Sequence, residues 1–215
     1  MGERQRMAAT AAAEVGTLEQ PRNSNRIKYN TWYYGREVEG SAYPWCAVFV
    51  SWCAAQAGIG TDTVPKMAYV PYITSFYQKQ GRYFAKAGYQ PQAGDLAIFG
   101  SNSHIGIVES ADGQYVTTIE GNTSASGNNS NGDGVYRKKR RLADGWIKGY
   151  CSPQYEGEEE VEIRALEIEA DGKRVLVEAV NIGGNNFIKL RDVEKIAPVK
   201  VDWDAARRMP TVEVV

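Results

Sequence analysis

Apolar residues recur along residues 44–57 with the period of a helix. Cys46, Phe49, Val50, Cys53, Ala54 and Ala57 follow one another at helical spacings and form one continuous stripe. Pro44 suits the first helical turn, and Gly58 suits the position just past the end. Ala-rich spacing over 7–16, stopped by Gly16, predicts an earlier helix, and residues 67–80 predict a later one. Residues 21–45 are polar and aromatic without a clear period and read as an ordered loop. After Gly94 the period drops to two. Strands are predicted over 95–99, 104–110, 114–120, 135–140 and 146–150, separated by Gly, Asn, Asp and Ser, with residues 122–134 as a long polar loop. Helices first and strands later is the pattern of an α+β fold over residues 1–155.

Residues 156–160 form an acidic, Gly-containing linker. Beyond it, the apolar segments 161–168 and 173–182 flank Asp171-Gly172, a hairpin signal. Residues 186–196 are expected as a short helix, and 199–203 and 211–215 as further short strands, giving a small α+β or β-rich domain over 161–215. At about 55 residues it lies near the lower size limit for a domain that folds alone.

Charge marks the same boundary. Residues 1–155 carry 16 Lys or Arg and 12 Asp or Glu, whereas 156–215 carry 9 and 14, within a net charge of −1 for the whole chain. That balance gives no case for nucleic acid. The longest apolar stretch, 47–57, is interrupted by Ser51 and Gln56, so no membrane span is expected. No targeting signal is visible at the start, and the chain reads as cytosolic when made.

A single histidine and three cysteines constrain the chemistry. Zinc sites with three histidines and facial triads with two are excluded, and no metal or other cofactor is expected. An odd cysteine count argues against a disulfide scaffold. Cys46 falls in the first turn of the predicted helix, where free N–H groups and the helix dipole favour a thiolate. It is either a nucleophile or a small buried apolar residue. Cys53 and Cys151 suit packing. His104 opens an alternating strand. A three-residue turn at Ala111-Asp112-Gly113 sets it opposite Glu120, with Asn122 on the same face. That pairing is either the base and orienter of a catalytic triad or a surface cross-strand pair.

Four segments in order resemble the CHAP family, the cysteine- and histidine-dependent amidohydrolase/peptidases. They are Tyr43-Pro44-Trp45-Cys46-Ala47 with the helix that follows, Gly94-Asp95 opening a strand, Ser103–Glu109, and Tyr115–Thr123 with its Glu-Gly-Asn. The resemblance spans roughly residues 7–155. It implies a papain-like fold of helices packed on an antiparallel sheet, and cleavage of an amide bond in peptidoglycan. It makes Cys46 the nucleophile, His104 the general base, Glu120 its orienter and Asn122 a supporting polar residue. Tyr43 is a candidate second oxyanion donor, and Tyr43 and Trp45 are candidate substrate contacts. Tyr33, Tyr34, Trp45 and Tyr72 are candidate aromatic walls, each equally readable as core. Calcium, which some members bind near the nucleophile, is not expected, because residues 23–30 hold no Asp or Glu.

Asn186–Val193 and Val201-Asp202-Trp203-Asp204 resemble the small domain named after the copper amine oxidase N-terminus. The segment has no histidine, so copper is not expected. The implied role is attachment to the wall or self-association, which leaves a homo-oligomer open, or a structural appendage. With no signal visible, the expected setting is an endolysin of a phage or prophage, made in the cytoplasm of a bacterial host and acting on the wall after release. The alternatives are a secreted autolysin, a non-catalytic wall-binding module, and a papain-like amidase on another substrate. Whether the bond is muramoyl–alanine or within the peptide is left open.

Overall fold

A computed structural model describes residues 1–126, 131–157, 163–170, 173–182, 185–204 and 209–214. The chain divides into two compact units, Met1–Gly157 and Glu158–Val215.

The first unit opens with four helices, α1 (Glu3–Ala13), α2 (Lys28–Tyr34), α3 (Cys46–Gln56) and α4 (Val70–Lys79). Six strands follow: β1 (Tyr83–Ala85), β2 (Leu96–Phe99), β3 (His104–Ala111), β4 (Tyr115–Thr123), β5 (Gly134–Arg141) and β6 (Ile147–Cys151). They form one antiparallel sheet in the order β1-β6-β2-β3-β4-β5. This is the expected α+β class. The alternation of the strands builds two cores. Leu96, Ile98, Ile105, Ile107 and Ile119 face α3, while Ala97, Phe99, Val108, Val116 and Tyr150 pack on the opposite side.

Over Cys46–Ser51 helix α3 is buried all round rather than on one stripe, and only its last turn, at Ala55 and Gln56, is exposed. Sheet strands β3 and β4 cover part of it and α1, α2 and α4 cover the rest, so Ala47, Val48 and Ser51 are enclosed along with the predicted face. Ser51 is accommodated because its one hydroxyl proton has the Met67 and Ala47 carbonyls within reach, at 2.9 and 3.1 Å, and its oxygen accepts from the Met67 N–H. The helix starts at Cys46 with Trp45 as its cap, so Pro44 stands just outside the first turn rather than in it.

Two elements depart from the expected pattern. The predicted loop over 21–45 contains α2, whose Tyr29 packs against Trp45, Phe49 and Trp52 and which ends at Gly35 in the left-handed conformation. Aromatic contacts to another helix, not a 3.6-residue stripe, hold it in place. β1 is three residues long, too short to alternate, and forms by pairing with β6. The Gly94-Asp95 pair is explained by packing. Gly94 has φ +87°, and a Cβ there would meet the Arg4 backbone oxygen at 2.9 Å. The fully buried Asp95 carboxylate accepts from Arg4 (2.7 Å), Tyr89 (2.8 Å) and the Gln92 N–H (2.9 Å), which ties α1 to the sheet.

The second unit contains a three-stranded sheet of β7 (Ile163–Ala170), β8 (Lys173–Ile182) and β9 (Asn185–Ile188), a 3-10 turn at Leu190–Lys195, and a hairpin of β10 (Val199–Asp204) and β11 (Met209–Val214). The expected helix over 186–196 is therefore a strand followed by the 3-10 turn. The Asp171-Gly172 turn and residues 158–160 of the linker lie outside the described residues. Among the described residues, no helix is long and apolar enough to cross a membrane.

Candidate active site

The site forms where the start of α3 meets β3 and β4. Cys46 is the first residue of α3, in a turn whose N–H groups have no intrahelical acceptor. His104 opens β3, and Glu120 and Asn122 lie near the end of β4. The three are fully buried, and Cys46 is 5% exposed.

The β3–β4 register differs from the expected one. The pairs are Ile107↔Ile119 and Val108↔Thr118, then Ser110↔Thr117 and Ala111↔Val116 after a bulge at Glu109. One step beyond Ile107, Glu120 therefore faces Gly106 rather than His104. The turn sits further along than expected because the Asp112 carboxylate accepts from the Gln114 and Tyr115 N–H groups, at 3.0 and 2.7 Å. On the His104 side of the bulge the displacement is two residues, which keeps His104 and Glu120 on their predicted face. Gly106 then gives Glu120 room to reach diagonally, and His104 Nε2 lies 3.1 Å from Glu120 Oε2. The contact expected from the hairpin forms by a different route.

His104 Nδ1 is buried and has no hydrogen-bond partner. Burial pushes the imidazole toward neutrality, but Cys46 and Glu120 favour its charged form and together raise its pKa to about 9. The Glu120 carboxyl is affected most by burial, which raises it. His104 and then Arg140 overcome that, and its pKa is lowered. Burial pushes the Cys53 and Cys151 thiols up, so both remain protonated packing groups.

Asn122 serves the helix start. With the amide turned so that both of its ends are satisfied, Oδ1 accepts from the Trp45 N–H at 3.0 Å and Nδ2 donates to the Gly132 carbonyl at 2.9 Å. It thus anchors the residue before Cys46, from a left-handed backbone (φ +55°). Trp45, a candidate substrate contact and wall, is fully buried, with its indole N–H donating to Glu19 at 2.6 Å. Its ring offers no surface to a substrate. Tyr33, Tyr34 and Tyr43 are half-buried in an edge-to-face row, and Tyr72 is exposed against Tyr69. Among the described residues, no group of three or more His, Cys, Asp or Glu is placed to hold a metal ion.

Residues 38–122 match the CHAP domain model. No curated protein matches the chain. A CHAP domain is a cysteine- and histidine-dependent amidohydrolase or peptidase. The matched span contains Cys46, His104, Glu120 and Asn122, and ends at the last of them. Sequence reasoning missed Glu19, Thr118 and Arg140. Of these, Thr118 alternates in step with Glu120, whereas Arg140 lies beyond the CHAP match and needs the β4–β5 register to be placed.

Proposed function

We propose that Met1–Gly157 hydrolyses an amide bond of peptidoglycan with Cys46 as nucleophile and His104 as acid and base. The observation that carries this reading is the buried imidazole, held through Nε2 by Glu120 at 3.1 Å, with Nδ1 unpartnered and Cys46 close enough to raise its pKa. With the proton on His104, the Cys46 thiolate adds to the amide carbonyl. The Cys46 backbone N–H in the first turn of α3 is a donor for the oxyanion, and Tyr43 is the candidate second donor. His104 then protonates the leaving amine as the C–N bond breaks, leaving a thioester. It next takes a proton from water, whose oxygen attacks the thioester; the C–S bond breaks to give the acid, which loses its proton to solvent, and the Cys46 thiolate beside protonated His104. Glu120 keeps the ring oriented throughout.

The test is mass spectrometry of purified peptidoglycan digested by the whole protein. New amine and carboxyl termini are expected, and their identity assigns the bond as muramoyl–alanine or peptide. Cys46→Ala should release none; full release by that variant would end the thiolate mechanism. The phage-lysin setting belongs to the same proposal and predicts that protein added from outside clears suspensions of Gram-positive cells.

We further propose that the second unit attaches to the wall or self-associates, in keeping with its likeness to the copper amine oxidase N-terminal domain. Leu176 and Phe187 are exposed on it, at 65% and 55%. Leu176→Lys with Phe187→Lys should reduce co-sedimentation with walls or change the mass in solution. If neither changes, those two side chains are not the attachment.

A further inference from the structure

Glu120 is held by a strand that the CHAP match does not reach. β5 pairs with β4 so that Arg140 faces Val116, Lys138 faces Thr118 and Tyr136 faces Glu120. By the period of two, Lys138 and Arg140 share the face of Glu120, whereas Arg137, Lys139 and Arg141 share the other. Lys138 and Arg140 are accordingly buried, and the other three are exposed.

The Arg140 guanidinium lies 4.7 Å over the ring of Phe99, itself the β2 partner of His104. From there it reaches along β4 to Glu120. Nη1 donates to Oε1 and Nη2 donates to Oε2 at 3.1 Å. The Thr118 hydroxyl gives Oε1 a second donor at 2.5 Å, and His104 Nε2 gives Oε2 its second at 3.1 Å. Both oxygens then have two partners, which uses the full acceptor capacity of a carboxylate. The two-pronged guanidinium also fixes the plane of the group.

We propose that Arg140 is a positioning residue of the Cys46–His104 site, holding Glu120 in one orientation as an ionised acceptor so that it steers His104 without taking the catalytic proton. This rests on the reading of Cys46 and His104 given above. Charge balance supports it. The Cys46–His104 pair is neutral whether its proton is on sulfur or nitrogen, and Arg140 offsets Glu120, so these four groups together carry no net charge. A buried carboxylate without that offset competes for the proton. The titratable and charged groups around Glu120 are His104 from β3 and Arg140, Lys138 and Tyr136 from β5, with Cys46 from α3 beyond the imidazole.

The experiment uses the full chain with Arg140→Met and Arg140→Lys. Two readouts need no substrate: the ring-nitrogen NMR titration of His104, and the pH dependence of Cys46 alkylation by iodoacetamide. In Arg140→Met the inflection that Glu120 imposes on the His104 signals should move up by about 1–3 pH units. The acid limb of kcat/KM on peptidoglycan should move with it, with KM unchanged. Arg140→Lys keeps the charge and should restore most of the limb position. In a Glu120→Gln background, Arg140→Met should add nothing. A folded Arg140→Met with the wild-type inflection and limb overturns the proposal, as does an effect that persists without the Glu120 carboxylate. If Arg140→Met does not fold, Thr118→Val removes one of the four donors and should move the same inflection upward by less; no movement overturns the proposal equally. Failure of the underlying reading is separate, since it appears as hydrolysis by Cys46→Ala or as a His104 titration indifferent to Cys46 alkylation.

Discussion

Cys46 and Glu120 favour the same proton on His104, while burial opposes it. Removing Cys46 leaves burial and Glu120 to settle the balance. Cys46→Ala should therefore lower the His104 pKa from about 9 toward its ordinary 6.5. The chain has one histidine, so a ring-nitrogen NMR titration reads that midpoint without assignment. An unmoved midpoint would mean that the thiol does not bear on the ring. The same shift has a consequence for stability. A histidine whose pKa is raised by folding contributes fully below its unfolded value near 6.5, and the contribution is lost as pH climbs through about 9. Glu120 works in the other direction. Its lowered pKa stabilises the fold above the ordinary 4.5, and that contribution is lost as pH falls through the depressed value. Melting temperature should thus decline between pH 6.5 and 9, and His104→Gln should flatten that decline. An equal decline in the variant would assign the effect to another group.

Strands β3 and β4 bring His104 and Glu120 together only because Gly106 leaves the space between them open. A Cβ on Gly106 would stand 2.6 Å from Glu120 Cγ and 3.2 Å from the Ile119 carbonyl oxygen. Gly106→Ala should displace Glu120 from the imidazole, lowering kcat/KM by roughly 100-fold and stability by about 1–3 kcal/mol. Hydrolysis kinetics and thermal melts check the two effects, and wild-type kcat/KM would show that the diagonal reach is not required. The shared face of His104 and Glu120 was legible in the sequence, because alternation survives an even shift of register. The shift itself was not, because it depends on where the Asp112 carboxylate closes the turn and on the bulge at Glu109. Nor was the place of Asn122, because the register breaks between Glu120 and Thr123 and Asn122 takes a left-handed backbone. Trp45 was left open between wall and core, because an aromatic beside a nucleophile looks alike in sequence whether it faces solvent or the core, and its burial decides for the core. Arg140 was hidden in the Arg137–Arg141 run, which reads as a solvated charged edge. Only pairing with β4 shows that alternate members of the run turn inward.

The charge boundary near residue 155 and the division of the chain at Gly157 bear on how much of it catalysis needs. The last residues of the first unit are fastened within it. Tyr155 is 2% exposed, its hydroxyl donates to the Gly94 carbonyl at 2.6 Å, and the Arg4 guanidinium lies 5.0 Å over its ring. The Glu156 N–H donates to the Glu3 carboxylate at 2.7 Å. These contacts join the end of the unit to α1 and to the glycine preceding Asp95, which in turn holds α1 on the sheet. A chain ending at Gly157 keeps all of them, and it also keeps Cys46, His104, Glu120 and Arg140. It should release the same peptidoglycan termini with unchanged kcat, while its co-sedimentation with walls falls if the second unit is the attachment. Tyr155→Ala in the full chain should instead cost about 3–5 kcal/mol, because a buried aromatic and its hydrogen bond are lost together. If the shortened chain loses kcat but melts as before, the second unit takes part in the chemistry. If it binds walls as well as the full chain does, attachment resides in the first unit, and the second unit's exposed apolar side chains must serve self-association or nothing at the wall.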